Sequence, residues 1–149
     1  MGIAEYSRVT LRIFGDDLVP DEVTSLMGCT PESACAKGDI RIGSKTGRRH
    51  EERTGRWSLQ ASRREPEDIP DQISEILGRL PQDPAVWRRL GAKYQIDLFC
   101  GVFMRSTNDG LSFPADILRL LSERGIALNI DVYAPHDDAS DSDVSTQDA

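Results

Sequence analysis

The residues best suited to chemistry are the basic side chains between residues 35 and 64. Nine Lys and Arg residues stand there with three acidic residues, an excess of six positive charges in a chain whose net charge is −7. Guanidinium groups bind carboxylates and phosphates through paired hydrogen bonds. The segment is therefore predicted to bind a small anionic ligand or a protein partner, with candidate binding residues Lys37, Asp39, Arg41, Arg53 and Trp57.

The alternative interpretation is a solvated, charge-rich hairpin that protects an exposed edge strand. Trp57 also has two interpretations. Beside Arg56 it could stack a nucleic-acid base, whereas with Leu59 and Ala61 on its side of a strand it would belong to the core. The rest of the chain carries a charge of −13. Because nonspecific nucleic-acid binding depends on positive charge, nucleic acid is not expected as a partner.

The stretch GDIRIGSKT, residues 38–46, nearly matches a phosphate-binding P-loop. Gly38 and Gly43 have the right spacing, but Ser44 precedes Lys45 and displaces the lysine from the phosphate cradle. A P-loop also needs a following helix whose N-terminus holds the anion. The next residues, GRRHEERTG, have no apolar periodicity. The P-loop interpretation is therefore rejected.

Catalytic patterns are not distinctive in this sequence. Asp16 and Asp17 could share a proton or hold a cation, but adjacent aspartates after a glycine are typical of a turn. His50 falls in a polar loop and His136 at the edge of the acidic tail. No Ser-His-Asp arrangement stands out. We therefore expect that the protein is not an enzyme.

The three cysteines, Cys29, Cys35 and Cys100, are an odd number in a chain long enough to build a core. The spacing of the first two does not match that of zinc knuckles. Free, buried thiols in a reducing cytoplasm are predicted, with no metal and no cofactor. No apolar run reaches the roughly 18 residues of a membrane-spanning helix, so membrane association is not expected.

Two stretches of the chain share one plan of strand, proline, helix and glycine. The first has a strand over residues 9–14 and a helix from Pro20 to Gly28, and the second has its helix between Pro114 and Gly125. Apolar residues at helical spacing predict one buried stripe in each helix. The stripes consist of Val23, Leu26 and Met27, and of Ile117, Leu120 and Leu121.

Between these units, residues 34–43 and 55–62 are predicted to be strands joined by a polar loop. Helical spacing follows over residues 68–80, and another helix starts at Asp83. The order β-α-β-β-α-(α)-β-α-β predicts an α+β domain with a mainly antiparallel sheet and helices on one face, a ferredoxin-like unit plus an extra α-β. Residues 1–134 are assigned to this single domain, and residues 135–149 to a disordered acidic tail.

The segments LRIFGDDLVPDEVTSLMGCTPESACAKGDI, TGRWSL and GLSFPADILRLLSERGIALNIDVY resemble the bacterial domain-of-unknown-function family number 4279. The resemblance spans residues 9–133. Members often have Ser before the first helix proline, whereas this chain has Val19 and Phe113 at the two corresponding places. The resemblance implies an independent single-domain bacterial protein and supplies no activity.

Two functional classes follow. The preferred class is a noncatalytic binding or interaction module, including an immunity-type protein whose acidic body neutralises a basic partner. The other is an enzyme or small anionic-ligand sensor with a pocket near Lys37, Arg41 and Trp57, which would show convergent polar groups in a concave site. In either class we place the site in the basic hairpin and not at the Asp16-Asp17 turn.

Overall fold

The structure, a computed structural model, describes residues 2–136. Most of the predicted acidic tail, residues 137–149, lies outside the described residues, and the domain boundary at residue 134 stays a prediction. The helices are α1 (Pro20–Met27), α2 (Ile69–Gly78), α3 (Pro84–Lys93) and α4 (Ala115–Glu123). The strands are β1 (Gly2–Ile3), β2 (Tyr6–Gly15), β3 (Ser33–Cys35), β4 (Ile40–Ile42), β5 (Arg49–Glu51), β6 (Gly55–Gln60), β7 (Gln95–Phe103), β8 (Asp109–Gly110) and β9 (Ala127–Tyr133).

Five strands form the central sheet in the spatial order β3-β6-β2-β7-β9. Neighbours are antiparallel except for β7 and β9, which are parallel. The α+β class and the mainly antiparallel sheet are therefore confirmed. Counted along the chain, the five strands occupy the order 2-3-1-4-5. The ferredoxin-like description of the first part stays a prediction.

The core lies between one face of this sheet and the helices. Successive strand residues point to opposite faces, so Val9, Leu11 and Ile13 of β2 reach the core and are fully buried. All four helices add apolar residues to the same cluster. The buried helix residues include Val23, Met27, Ile69, Ile73, Ile76, Leu77, Trp87, Leu90, Ile117 and Leu121.

The two predicted strand–helix–strand units are both present, but they connect differently. The predicted stripes of α1 and α4 are confirmed, with Leu26 and Leu120 only partly buried. Gly28 (φ 63°) and Gly125 (φ 66°) adopt left-handed conformations where the helices end. The first unit joins β2 to β3 across the intervening β6, whereas the second joins the neighbours β7 and β9. The second unit therefore extends the sheet at its edge.

The segment between β3 and β6 differs from the predicted pair of long strands. The chain leaves the central sheet after Cys35, turns at Gly38 (φ 89°) and forms β4, which pairs with β5 inside the predicted loop. Asp39 stabilises this turn, because its Oδ2 accepts a hydrogen bond from the Ala36 N–H at 2.8 Å. Residues 36–54, with β4 and β5, are called the basic ribbon below.

The sheet face opposite the helices carries a stack of aromatic rings. Tyr6, Phe103 and Tyr133, from three neighbouring strands, have ring centroids separated by 4.0 and 4.6 Å. The Arg63 guanidinium lies 3.8 Å from the centroid of the Tyr6 ring. The ring faces inside this stack are already occupied. A nucleic-acid base, which would need a free ring face, therefore has no place between them.

Candidate functional site

The basic ribbon is a two-stranded antiparallel arm with β-branched residues in β4 and a glycine-rich turn. Its register pairs Ile40 with Glu51, Arg41 with His50 and Ile42 with Arg49. All six of these residues are exposed. Because paired side chains share a face, one face of the ribbon carries Arg41 and His50. The two isoleucines lie on the other face.

Glu52 is the electrostatic centre of the ribbon. Its side chain is only 9% exposed. Its carboxylate oxygens lie 3.3 Å from Arg41 Nε, 3.9 Å from His50 Nε2 and 4.0 Å from Arg56 Nη2. A carboxylate that has lost most of its water needs nearby positive charges or hydrogen bonds. Glu52 therefore draws an arginine of the ribbon and an arginine of β6 toward one point.

A cleft of about 370 Å³ opens beside Glu52. Three guanidinium groups and one carboxylate line it, so the cleft has two excess positive charges when His50 is neutral. Arg48 forms no ion pair within residues 2–136, while Arg41 and Arg56 remain partly exposed. The lining residues are Arg41, Gly43, Thr46, Arg48, His50, Glu52 and Arg56. This arrangement can hold an anion through charge-assisted hydrogen bonds.

A second cleft of about 490 Å³ is lined by Lys37, Arg49, His50, Glu51, Glu52 and Arg53. Lys37 Nζ lies 3.3 Å from Asp16 Oδ2, so the base of the ribbon contacts the Asp16-Asp17 turn. The turn itself is closed by a hydrogen bond from the Leu18 N–H to the Gly15 carbonyl at 3.2 Å. The two regions that the sequence analysis set apart are thus in contact.

The structure places the five candidate residues in different environments. Arg41 lines the first cleft, and Lys37 and Arg53 line the second. Asp39 acts in the turn at the base of the ribbon. Trp57 is fully buried, and its Nε1 donates a hydrogen bond to Thr24 Oγ1 at 3.0 Å. The indole is therefore part of the core and does not reach either cleft.

Two residues of the first cleft were missed by the sequence analysis as candidates. Glu52 and Arg48 lie in a run of charged residues, where no periodicity separates one side chain from another. The only sequence signal for Glu52 is that it is acidic within a strongly basic segment. Its burial results from the way the ribbon folds against β6, which local sequence does not specify.

The P-loop interpretation and the thiols can now be placed. The near-match around Gly38 and Gly43 flanks β4 and leads to the strand β5, not to a helix. Cys35 and Cys100 are buried free thiols and Cys29 is half-buried. Burial, with a smaller contribution from the charge of Asp97, raises the pKa of Cys100 to about 12. That thiol is therefore protonated and inert at neutral pH.

Among residues 2–136 there is no group of three or more His, Cys, Asp or Glu side chains arranged to hold a metal ion. None of the helices described here has the length and apolar character needed to cross a membrane.

Comparison with known proteins identifies the family of the chain. The family model described as "Domain of unknown function (DUF4279)" matches residues 4–135, which include all the strands of the central sheet, the four helices and the basic ribbon. Neither the curated proteins nor the solved structures gave a match. By the extent of the family match, this chain belongs to the DUF4279 family.

Proposed function

We propose that this protein is a noncatalytic binding module that receives an anionic group of its partner, a carboxylate or a phosphate, on the basic ribbon. The observation that supports this most is the convergence of Arg41, Arg48 and Arg56 on one cleft beside the buried Glu52. Guanidinium groups bind both kinds of anion in a forked geometry. The cleft therefore suits an acidic side chain, a chain terminus or a phosphate group.

Glu52 prepares the cleft for binding. Arg41 contacts the Glu52 carboxylate through Nε, and its two terminal nitrogens form no hydrogen bond with any described residue. Side chains that are held in place before binding lose less conformational entropy when the partner arrives. Arg41 and Arg48 would therefore supply the hydrogen bonds to the anion, while Glu52 keeps the repulsion between the guanidinium groups low.

An immunity-type role, in which acidic surface neutralises a basic partner, belongs to the same functional class. The charge of −13 outside residues 35–64 supports it, as do the exposed Asp21 and Glu22 beside a groove of about 650 Å³ between α1 and α3. Arg89 and Lys93 line the same groove and balance those acids. The field of the ribbon is more one-sided, and we therefore prefer the ribbon as the binding surface.

The test is a titration of the full chain with inorganic phosphate and, separately, with a poly-glutamate peptide. The side-chain Nε–Hε resonances of the arginines report binding in NMR spectra. Arg48→Gln removes one guanidinium without taking a counter-charge from Glu52. We expect it to weaken binding about tenfold, because a hydrogen bond to a charged group contributes roughly 1.5–3 kcal/mol. Arg88→Gln, on the exposed side of α3, is the matched control.

A response to the peptide alone supports a protein partner, and a response to phosphate alone supports the alternative, a small anionic-ligand sensor. Unshifted ribbon arginines with both probes would contradict the proposal. Equal weakening by Arg88→Gln would also contradict it, because the effect would then come from net charge and not from the cleft.

A further inference from the structure

Strand β9 forms one edge of the central sheet and pairs only with β7 among the described residues. It has seven residues, with neither proline nor lysine, and Asp131 is its single charge. The opposite edge strand, β3, has only three residues. Proteins protect sheet edges with short strands, charges or prolines, because an unpaired edge can template another strand. β3 follows this rule, whereas β9 leaves a long, flat edge open.

The backbone groups on the free side of β9 can be assigned. The Tyr133 carbonyl accepts a hydrogen bond from the Met104 N–H, which directly follows β7, at 3.0 Å. The N–H and C=O groups of one strand residue point the same way, and successive residues alternate. Leu128, Ile130 and Val132 therefore direct their backbone groups away from β7, toward the open edge.

We propose that a second copy of this chain occupies this edge, with the two β9 strands antiparallel around a two-fold axis at Ile130. This register pairs all seven residues of each strand. It sets Leu128 opposite Val132 and Ile130 opposite itself, so the outward backbone groups of one copy meet those of the other. Such an interface is isologous, which is the commonest arrangement in homo-oligomers.

The side chains of β9 are self-complementary in this register. Asp131 meets Asn129 of the second copy, whose amide can donate to the carboxylate. The large Tyr133 meets the small Ala127, which leaves room for the aromatic stack. An axis at Asp131 would instead set two carboxylates directly opposite each other, which is unfavourable. The charge pattern therefore selects the axis at Ile130.

Exposed apolar side chains surround the same edge. Val132 is 59% exposed and Tyr133 44%, and Leu118 of α4 is 46% exposed. Helix α4 packs against β9. A stable interface usually buries roughly 1,200–2,000 Å² in total, more than one strand supplies. Because the axis is perpendicular to the sheet, the two α4 helices would lie side by side on one face and add to the contact.

The dimer is independent of the function proposed for the ribbon. It would join the two sheets into one sheet of ten strands. The ribbons leave each sheet between β3 and β6, at the end away from β9. The two ribbons would therefore stand at opposite ends of the dimer, an arrangement that allows bivalent binding of a long or repeated partner.

Sedimentation velocity of the full chain, at loading concentrations up to about 100 µM, tests the proposal because dimer formation follows mass action. The expected species has about twice the chain mass of 16.5 kDa. Val132→Pro removes an outward N–H, and Val132→Glu places a charge in the interface. Both are expected to give monomers. Val132→Thr keeps the β-branched shape and the backbone N–H, so this control is expected to stay dimeric.

Circular dichroism and thermal unfolding establish that each variant is folded, and Val132→Glu decides the question if Val132→Pro does not fold. A wild-type chain that sediments as a monomer over the whole concentration range would overturn the proposal. So would a dimer that both variants leave intact, because the contact would then lie elsewhere on the molecule.

Discussion

Trp57 and Arg56 are neighbours in β6, yet they belong to different parts of the molecule. Strand alternation turns Arg56 toward Glu52 and Trp57 toward the core. The buried indole N–H needs an acceptor, and Thr24 Oγ1 of α1 supplies it. The tryptophan therefore fixes α1 on the sheet, while the arginine takes part in the ribbon cleft.

Trp57→Phe should lower the free energy of unfolding by about 1–3 kcal/mol, because it leaves a small cavity and an unused acceptor. Phosphate and peptide binding at the ribbon should stay unchanged. Urea unfolding measures the first effect, and the NMR titration measures the second. Thr24→Val is the companion variant, since it leaves the indole N–H without its acceptor. Weaker ribbon binding by folded Trp57→Phe would contradict the assignment of Trp57 to the core.

The four helices begin in two different ways. Asp68 and Asp83 cap α2 and α3, with their side chains accepting hydrogen bonds from the N–H groups of Asp71 and Ala85. Helix α1 has Val19 at the capping position, with extended backbone and no side-chain hydrogen bond. Helix α4 has Pro114 at its capping position and likewise lacks a side-chain cap. The N-terminal N–H groups of α1 and α4 therefore lack this stabilisation.

Val19→Ser should stabilise the protein. Val19 is 45% exposed, so little packing is lost, and the new hydroxyl can accept a hydrogen bond from the Glu22 N–H. Glu22 can in turn reach back to the N–H of residue 19, which completes a capping box. The expected gain is about 1 kcal/mol relative to Val19→Ala, the control that removes the same methyl groups without adding an oxygen. Equal stabilities of the two variants in urea unfolding would contradict this.

Across the whole molecule, ion pairs link segments that are distant in the fold. Arg64, after β6, contacts Asp71 at 3.0 Å and Glu75 at 2.9 Å, both on α2. Desolvation alone would raise the pKa of the Glu75 carboxyl, but hydrogen bonds from Arg64 and from the Ser62 N–H bring that pKa below its usual value. Asp109 also has a lowered pKa, owing to hydrogen bonds from the backbone and side chain of Ser106.

These lowered pKa values predict that acid destabilises the fold. A carboxylate with a lower pKa in the folded state binds protons more tightly when unfolded. Its stabilising effect is present above the unfolded pKa of about 4.3 for Glu and is lost as pH falls through the folded pKa. Glu75→Gln should make the free energy of unfolding less dependent on pH below about 5. Urea titrations at several pH values measure this slope.

Glu123→Gln is the matched control for that experiment, because Glu123 is an exposed residue at the end of α4. It forms no ion pair with any residue in the range 2–136. An equal change of the pH slope in both variants would show that the effect is not specific to the Arg64 contact.

The amino-acid sequence by itself determined the helices and their buried faces. Stripes such as Ile69, Ile73 and Ile76 repeat at helical spacing, and the caps Asp68 and Asp83 mark where two helices begin. Gly28 and Gly125 mark where the other two end. These signals are local, because each depends on residues within one or two helical turns. The α+β class followed from the order of such elements.

Only the tertiary structure decided which strands pair and which charged residues meet. The first strand–helix–strand unit skips a strand and the second does not, and β4 leaves the sheet to pair with β5. The burial of Glu52 and the separation of Trp57 from the ribbon arginines follow from those pairings. Strand pairing and burial depend on contacts between residues far apart in the chain. A charged or aromatic residue therefore acquires its role from the partners that the fold brings to it.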